Sequence, residues 1–264
     1  MNNKTALVTG AASGLGYEFA VLLAKDSYNL ILIDIDSENL EGTKKELESL
    51  YQTQVTILVK DLSTAEIANE IYNEIQDKSI DVLINNAGFG LFGTFSKTNW
   101  QRESAMLHLH IMTTTHLTKL LLNGMVERGK GRILNISSLA AFQPGPLMAI
   151  YYASKAYILS FSEAIANELK GTGVTVTVLC PGQTKTSFQQ VVSKQNCDNK
   201  ISFNMACPVQ VAKYGYNAMM QGKTVVVPGF FNKFLSKLPR LMPRKTSASI
   251  VRKIQEKNRE GSLN

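Results

Sequence analysis

Short apolar runs and helix-like stretches alternate along the whole chain, and few architectures accept that order. Strand-like runs fall at 5–9, 29–34, 54–60, 81–85, 132–137, 174–180 and 224–228. Helical patterns lie between them at 14–25, 37–50, 64–76, 100–127, 151–170 and 208–220. Runs such as LILI at 30–33 are apolar at every position, as strands buried on both faces must be. The order predicts an α/β fold, one doubly wound domain with a parallel sheet and helices on both faces. At 264 residues the chain is near the upper size for one hydrophobic core, and no Pro- or Gly-rich linker or internal repeat divides it.

A composition of 44% hydrophobic and 19% charged residues excludes a wholly disordered or fibrous chain. No apolar run approaches the roughly 18 residues of a membrane span. The first ten residues, MNNKTALVTG, pass from a polar tip straight into a strand pattern, which leaves no room for a signal peptide. The expectation is a soluble, cytoplasmic chain. Cys180, Cys197 and Cys207 are too irregularly spaced for a disulfide framework or a CxxC site and are expected to act as small hydrophobes. His108, His110 and His116 share one predicted helix but cannot share a metal, because they differ in face or lie about 12 Å apart along the axis. No metal site is expected.

The charge is lopsided. From 229 to 264 nine Lys or Arg face two Glu, a net +7, and the rest of the chain sums to zero. Attraction to an anionic partner therefore belongs to this end, for which a solvated helical tail is the ordinary reading. Within it, Phe230, Phe231, Phe234, Leu235, Leu238, Leu241 and Met242 recur at helical spacing, with Lys233, Lys237, Arg240 and Arg244 between them. Such a stripe could rest on an anionic membrane or shape a substrate entrance, and docking on the protein's own core is expected. The other break in rhythm is a long polar insertion at 183–207, of the kind that closes over a ligand.

The first strand ends in Thr9-Gly10-Ala11-Ala12-Ser13-Gly14-Leu15-Gly16, directly before a helix. Glycines permit the tight turn and let backbone N–H groups approach a pyrophosphate at the positive helix end. Asp34 closes the second strand 18 residues after Gly16, where a carboxylate accepts from both hydroxyls of an adenosine ribose. It would repel a 2′-phosphate, since like charges ~4 Å apart cost about 4 kcal/mol at an effective dielectric near 20. Neither Ser13 nor Ile35 supplies a compensating cation. NAD(H) is therefore expected over NADP(H).

TGxxxGxG, Asn85-Asn86-Ala87-Gly88 after the fourth strand, Ser138 after the fifth, Tyr151-xxx-Lys155 on the next helix and Pro181-Gly182 after the sixth occur in that order. Together they resemble the short-chain dehydrogenase/reductase family from about Thr5 to Pro228. The resemblance implies a seven-stranded Rossmann-type sheet, a nicotinamide cofactor and reversible carbonyl/alcohol hydride transfer. It makes 1–228 the dinucleotide-binding and catalytic domain and 229–264 a basic, partly amphipathic extension. Asp61 resembles the aspartate that binds the adenine amino group, Leu62 a neighbouring cofactor-binding position, and Asn85 the residue that steadies the central sheet. Asn86, Ala87, Gly88, Pro181 and Gly182 resemble positions that line the cofactor. Thr184 and Thr186 fall where the nicotinamide carboxamide and diphosphate are contacted. A homodimer or homotetramer through the helices at 100–127 and 151–170 is also implied.

The residue types suit the chemistry. Carbonyl reduction needs a proton for the developing alkoxide, and Tyr151 can give it only if its pKa of ~10 falls by roughly 3 units, about 4 kcal/mol. Lys155, one helical turn on, is placed to supply much of this. By resemblance Lys155 also holds the nicotinamide ribose, and Ser138 bonds the substrate oxygen. Tyr152 is expected to pack. The family usually has asparagine midway along the helix after NNAG, anchoring a water relay to the lysine, and His110 stands there. Either its imidazole carries a proton in an altered relay or it is a tolerated, packed replacement.

The leading expectation is an NAD(H)-dependent oxidoreductase of a secondary alcohol and its ketone. Phe142, Phe188, Phe230 and Phe231 suggest an apolar pocket and hence a lipophilic, steroid-like or acyl substrate. The alternative is a nicotinamide-binding sensor or scaffold with little turnover, against which the intact Ser138, Tyr151 and Lys155 speak. Specific nucleic-acid binding is not expected, because the tail carries no recognition motif.

Overall fold

The strands assemble into a seven-stranded sheet of order β3-β2-β1-β4-β5-β6-β7 with every pair parallel. They are β1 Thr5–Thr9, β2 Asn29–Asp34, β3 Val55–Val59, β4 Ile80–Asn85, β5 Gly131–Ile136, β6 Val174–Leu179 and β7 Val225–Val226. The structure is a computed structural model and describes residues 4–182 and 207–257. The helices are α1 Gly14–Lys25, α2 Ser37–Leu50, α3 Ile67–Glu74, α4 Trp100–Leu107, α5 Thr114–Glu127, α6 Ala149–Glu168, α7 Pro208–Met220, α8 Phe230–Lys237 and α9 Arg244–Lys257.

The uninterrupted LILI run has a direct explanation. Leu30 and Leu32 enter a core with Phe19, Leu40, Leu47, Tyr216 and Met219, from α1, α2 and α7. Ile31 and Ile33 enter a second core with Ile67, Ile71, Leu117, Leu121 and Met125, from α3 and α5. Each strand side chain thus has a helix layer to bury against, and truncating a fully buried one such as Leu32 to alanine costs about 2–5 kcal/mol. Between the cores runs a buried polar ladder. Asn85 Nδ2 donates to Asn135 Oδ1 at 2.9 Å and to Thr118 Oγ1 at 3.1 Å, and Asn135 Nδ2 donates to Ser162 Oγ at 2.9 Å. It ties β4 and β5 to α5 and α6, which is the steadying role the resemblance implies for Asn85.

Because β1 pairs with both β2 and β4, the strand order reverses there and opens a crevice beyond the strand carboxyl ends. The glycine turn after β1, Asp34 at the end of β2, the segment 86–88 after β4 and Ser138 after β5 lie at those carboxyl ends.

Four expectations are corrected. The helix expected at 100–127 is broken by a π turn at His108–Thr113, and the one at 64–76 shortens to Ile67–Glu74. The π turn is braced from outside, since Thr113 Oγ1 donates to the Leu62 carbonyl at 2.8 Å. The basic, Phe-rich stripe does not dock on the core. Phe230 is 90% exposed and Leu241 84%, because α8 buries Ser236 on its inner side. Phe230 and Phe231 are 90% and 55% exposed. Finally, Cys207 is disulfide-bonded, whereas Cys180 is a buried free thiol pushed up to about 12 by burial, as a small hydrophobe would be. The insertion at 183–206, with Thr184, Thr186, Phe188 and Cys197, lies outside the described residues.

Candidate active site

The turn after β1 closes on itself. Gly10 takes a φ of +66°, its N–H donates to the Ile33 carbonyl at 2.7 Å, and a Cβ at Gly16 would stand 1.9 Å from the Gly10 oxygen. Glycine is required at both positions, and the first N–H groups of α1, at Gly14, Leu15 and Gly16, are left facing the crevice. Ser13 precedes them as the N-cap in extended backbone. Asp34 accepts from the Ala12 N–H at 2.9 Å and from the Asp36 N–H at 3.1 Å, so its carboxylate sits against the glycine turn with lone pairs to spare. This cradle fits a dinucleotide, with its anion-seeking helix end and a fixed acceptor beside it.

Asn86 does a different task from its neighbours. Its Nδ2 donates to the carbonyls of Thr9 and Gly10, both at 3.0 Å, so the side chain braces the turn. Thr9 Oγ1 in turn accepts from the N–H groups of Asn86 and Ala87. Asp61 is exposed and accepts from the Ser63 N–H and hydroxyl. Leu62 is buried in the core, which removes its side chain from the crevice. Leu139 N–H donates to the Pro181 carbonyl at 2.9 Å, and Gly182 faces the Asn232 side chain of α8.

At the other end of the crevice the reacting side chains converge. Ser138 caps the 3-10 turn Leu139–Phe142, its Oγ accepting from the Ala140 N–H at 3.1 Å. Its hydroxyl also hydrogen-bonds the Tyr151 phenol; desolvation holds that phenol above 10, and the Ser138 bond opposes the rise. Lys155 Nζ lies 5.8 Å from the Tyr151 ring centroid and donates to the Ile136 carbonyl at 2.9 Å. Burial lowers the Lys155 ammonium from 10.5 to about 8. A Cβ at Gly88 would approach Lys155 Nζ within 3.5 Å and His110 Nε2 within 2.7 Å, so the end of the NNAG segment abuts both.

His110 is wholly buried and joined to both sides of the site. The Phe89 N–H donates to its Nε2 at 3.2 Å, and its Nδ1 lies 2.9 Å from Ser154 Oγ. Ser154 Oγ donates to the Tyr151 carbonyl at 2.9 Å. An accepting Nε2 makes Nδ1 the protonated nitrogen, and the chain of donors then runs without conflict from His110 to Ser154 to Tyr151. Burial, and secondarily the Lys155 charge, hold the imidazole well below 6.5, so it is neutral. Tyr152 packs away from the reacting groups: its ring covers Gly145 and its hydroxyl accepts from Gln255 Nε2 of α9 at 2.9 Å.

A Ser–Tyr–Lys cluster beside a glycine-lined crevice at a sheet's switch point agrees with a family model, short chain dehydrogenase, that matches residues 4–197. The chain belongs to the short-chain dehydrogenase family. The ketoacyl reductase HetN of Nostoc sp. is 31% identical to it over 92% of this chain and 84% of that protein. The 17-beta-hydroxysteroid dehydrogenase type 3 of Mus musculus is 31% identical over 72% of this chain, which spans only 63% of that longer relative. A short-chain dehydrogenase from Sphingobium yanoikuyae, solved in complex with NADPH, is 26% identical with a TM-score of 0.77 and covers 86% of this chain and 88% of its own. This short-chain dehydrogenase is an oxidoreductase that acts on alcohols and ketones with a nicotinamide cofactor.

Reading the sequence missed Ser154, Ser137 and Asn135. One signal was available: Ser154 is a polar residue one turn after Tyr151, on the buried face of α6. Ser137 Oγ donates to the Lys155 carbonyl at 2.7 Å and so positions the turn that carries the lysine.

Proposed function

We propose that this short-chain dehydrogenase interconverts a lipophilic secondary alcohol and its ketone with NAD(H), using Tyr151 as the acid and base. The observation that carries the reading is the Ser138–Tyr151 hydrogen bond with Lys155 Nζ beneath the same ring. A nicotinamide bound in the crevice supplies or accepts the hydride. Gly10, Ser13, Gly14, Leu15 and Gly16 would hold its pyrophosphate, Asp34 its adenosine ribose, and Ala87, Gly88 and Lys155 its inner half. Asp34 favours NAD(H) because its carboxylate is held in place by two backbone N–H groups and cannot swing away from a 2′-phosphate.

In reduction, Tyr151 passes its phenol proton to the substrate oxygen while Ser138 donates a hydrogen bond to that oxygen. In oxidation the phenolate takes the proton back. A phenol desolvated above 10 resists ionising, so the Lys155 ammonium and Ser138 must together stabilise the phenolate. His110, being neutral and fully hydrogen-bonded, acts as a positioning residue: it couples the Gly88–Phe89 backbone, through Ser154, to the main chain at Tyr151. The steroid and ketoacyl relatives support a lipophilic ketone.

The test is NADH oxidation with a panel of steroid ketones and 3-oxoacyl thioesters, with Tyr151→Phe beside the parent and NADPH as the rival cofactor. The reading expects turnover that drops about 10²–10⁴-fold in the variant while NADH binding persists. Undiminished turnover in Tyr151→Phe would remove Tyr151 from the mechanism, and tight NADH binding with no turnover on any substrate would favour a sensor.

A further inference from the structure

The amphipathic helix α8 presents its apolar side to the outside. Phe230 and Phe234, one turn apart, are 90% and 57% exposed, and Leu241 in the following 3-10 turn is 84% exposed. The opposite side holds the half-buried Leu235 and the buried Ser236. Lys233 and Lys237, also one turn apart and exposed, flank the phenylalanines, and the exposed Arg240, Arg244 and Lys245 extend the basic strip. No acidic side chain occurs from 229 to 255.

We propose that α8 and the turn after it form a docking surface for an anionic lipid bilayer, with Phe230, Phe234 and Leu241 entering the interface and the lysines and arginines meeting the headgroups. Exposed aromatic side chains flanked by basic ones on one helix face are the pattern of an interfacial helix. A second copy of this chain would bring a like-charged strip against the first, which argues against self-association here. Phe230 and Phe234 project from the outer side of the helix, 90% and 57% exposed, as side chains that enter a lipid interface must. The surface also adjoins the site, since Asn232 of α8 faces Gly182. The inference stands apart from the proposed reaction and is tested without turnover.

The experiment is co-sedimentation of the full chain with phosphatidylcholine vesicles and with vesicles containing about a third phosphatidylserine, at low salt and at about 0.5 M salt. Binding to the phosphatidylserine vesicles is expected, with loss of about tenfold or more in affinity at high salt. Phe230→Ser with Phe234→Ser is expected to lower it by about tenfold or more, with NADH binding kept as the check of folding. Should that variant not fold, Lys233→Gln with Lys237→Gln, on exposed side chains, tests the same surface through its charge. Absence of vesicle binding, equal binding to neutral and anionic vesicles, or undiminished binding by both variants would each overturn the proposal. So would a dimer that the serine changes dissociate, since the face would then belong to a second copy.

Discussion

Replacing Lys155 with methionine should make the unliganded enzyme more stable while abolishing its chemistry. The ammonium is buried and bonds one backbone carbonyl, that of Ile136. Burial lowers its pKa from 10.5 to about 8, a shift of about 2.5 units. At 1.36 kcal/mol per unit, the charged form costs about 3 kcal/mol in the folded protein. Methionine keeps the length of the side chain but forfeits the hydrogen bond, about 1 kcal/mol, which leaves a net gain of about 2 kcal/mol at pH 7. The sign of the pH dependence follows from the lowered folded value. Below about 8 both states carry the proton and the wild type bears the full cost. Between about 8 and 10.5 the folded state has released its proton while the unfolded chain holds it, so wild-type stability rises with pH across that window. Urea unfolding of both proteins at intervals from pH 7 to pH 10 measures this. The two stability curves should converge as pH rises, because the variant lacks the titrating group. A variant less stable than wild type at pH 7, or two curves that run parallel, would refute the argument that burial of a charged lysine is what the site tolerates for function.

Other outcomes follow from the same geometry. Asp34→Ser removes the carboxylate facing the ribose and should raise the NADPH-to-NADH preference by about 10²-fold or more, read as the ratio of kcat/KM values. An unchanged ratio would put cofactor choice elsewhere. His110→Asn should hold turnover near the parent's, because an amide can still accept from Phe89 N–H and donate towards Ser154, whereas His110→Phe should lower kcat by about tenfold with little change in KM. Since the imidazole is held neutral well below 6.5, the pH profile of kcat should show no limb near pH 6.5, and a limb there that disappears in His110→Asn would make the histidine a proton carrier. Trp100, Met112 and Tyr157 expose large side chains on the outer faces of α4, the π turn and α6, where a subunit contact is expected. Light scattering should give a dimer or tetramer, and a monomer at micromolar concentration would exclude it.

Much of the site was legible because its parts are local. The turn Gly10–Gly16 needs no distant partner to be recognised, since glycine is demanded by a positive φ at Gly10 and by the contact of Gly16 with the Gly10 carbonyl. Tyr151 and Lys155 fall on one helix face by spacing alone, and the parallel sheet covered on both sides follows from its continuous apolar runs. The side chains of Asn86 and Leu62 were not legible in this way: one braces Thr9 and Gly10 and the other is buried in the core. Spacing predicts which residues are near a site but not which way a side chain turns.

The sequence by itself determined the alternating α/β order, the glycine turn, the Ser138–Tyr151–Lys155 set and the concentration of positive charge beyond residue 228. Only the tertiary structure shows what His110 touches, because its partners Phe89 and Ser154 lie 21 and 44 residues away in the chain. It also decided the orientation of the Phe-rich stripe. An amphipathic pattern states that one helix face is apolar, but whether that face meets the core or the outside depends on what else already covers the sheet. Here Ser236 faces inward and Phe230 outward. Periodicity is a property of neighbouring residues, whereas burial and protonation are set by distant ones brought close through folding.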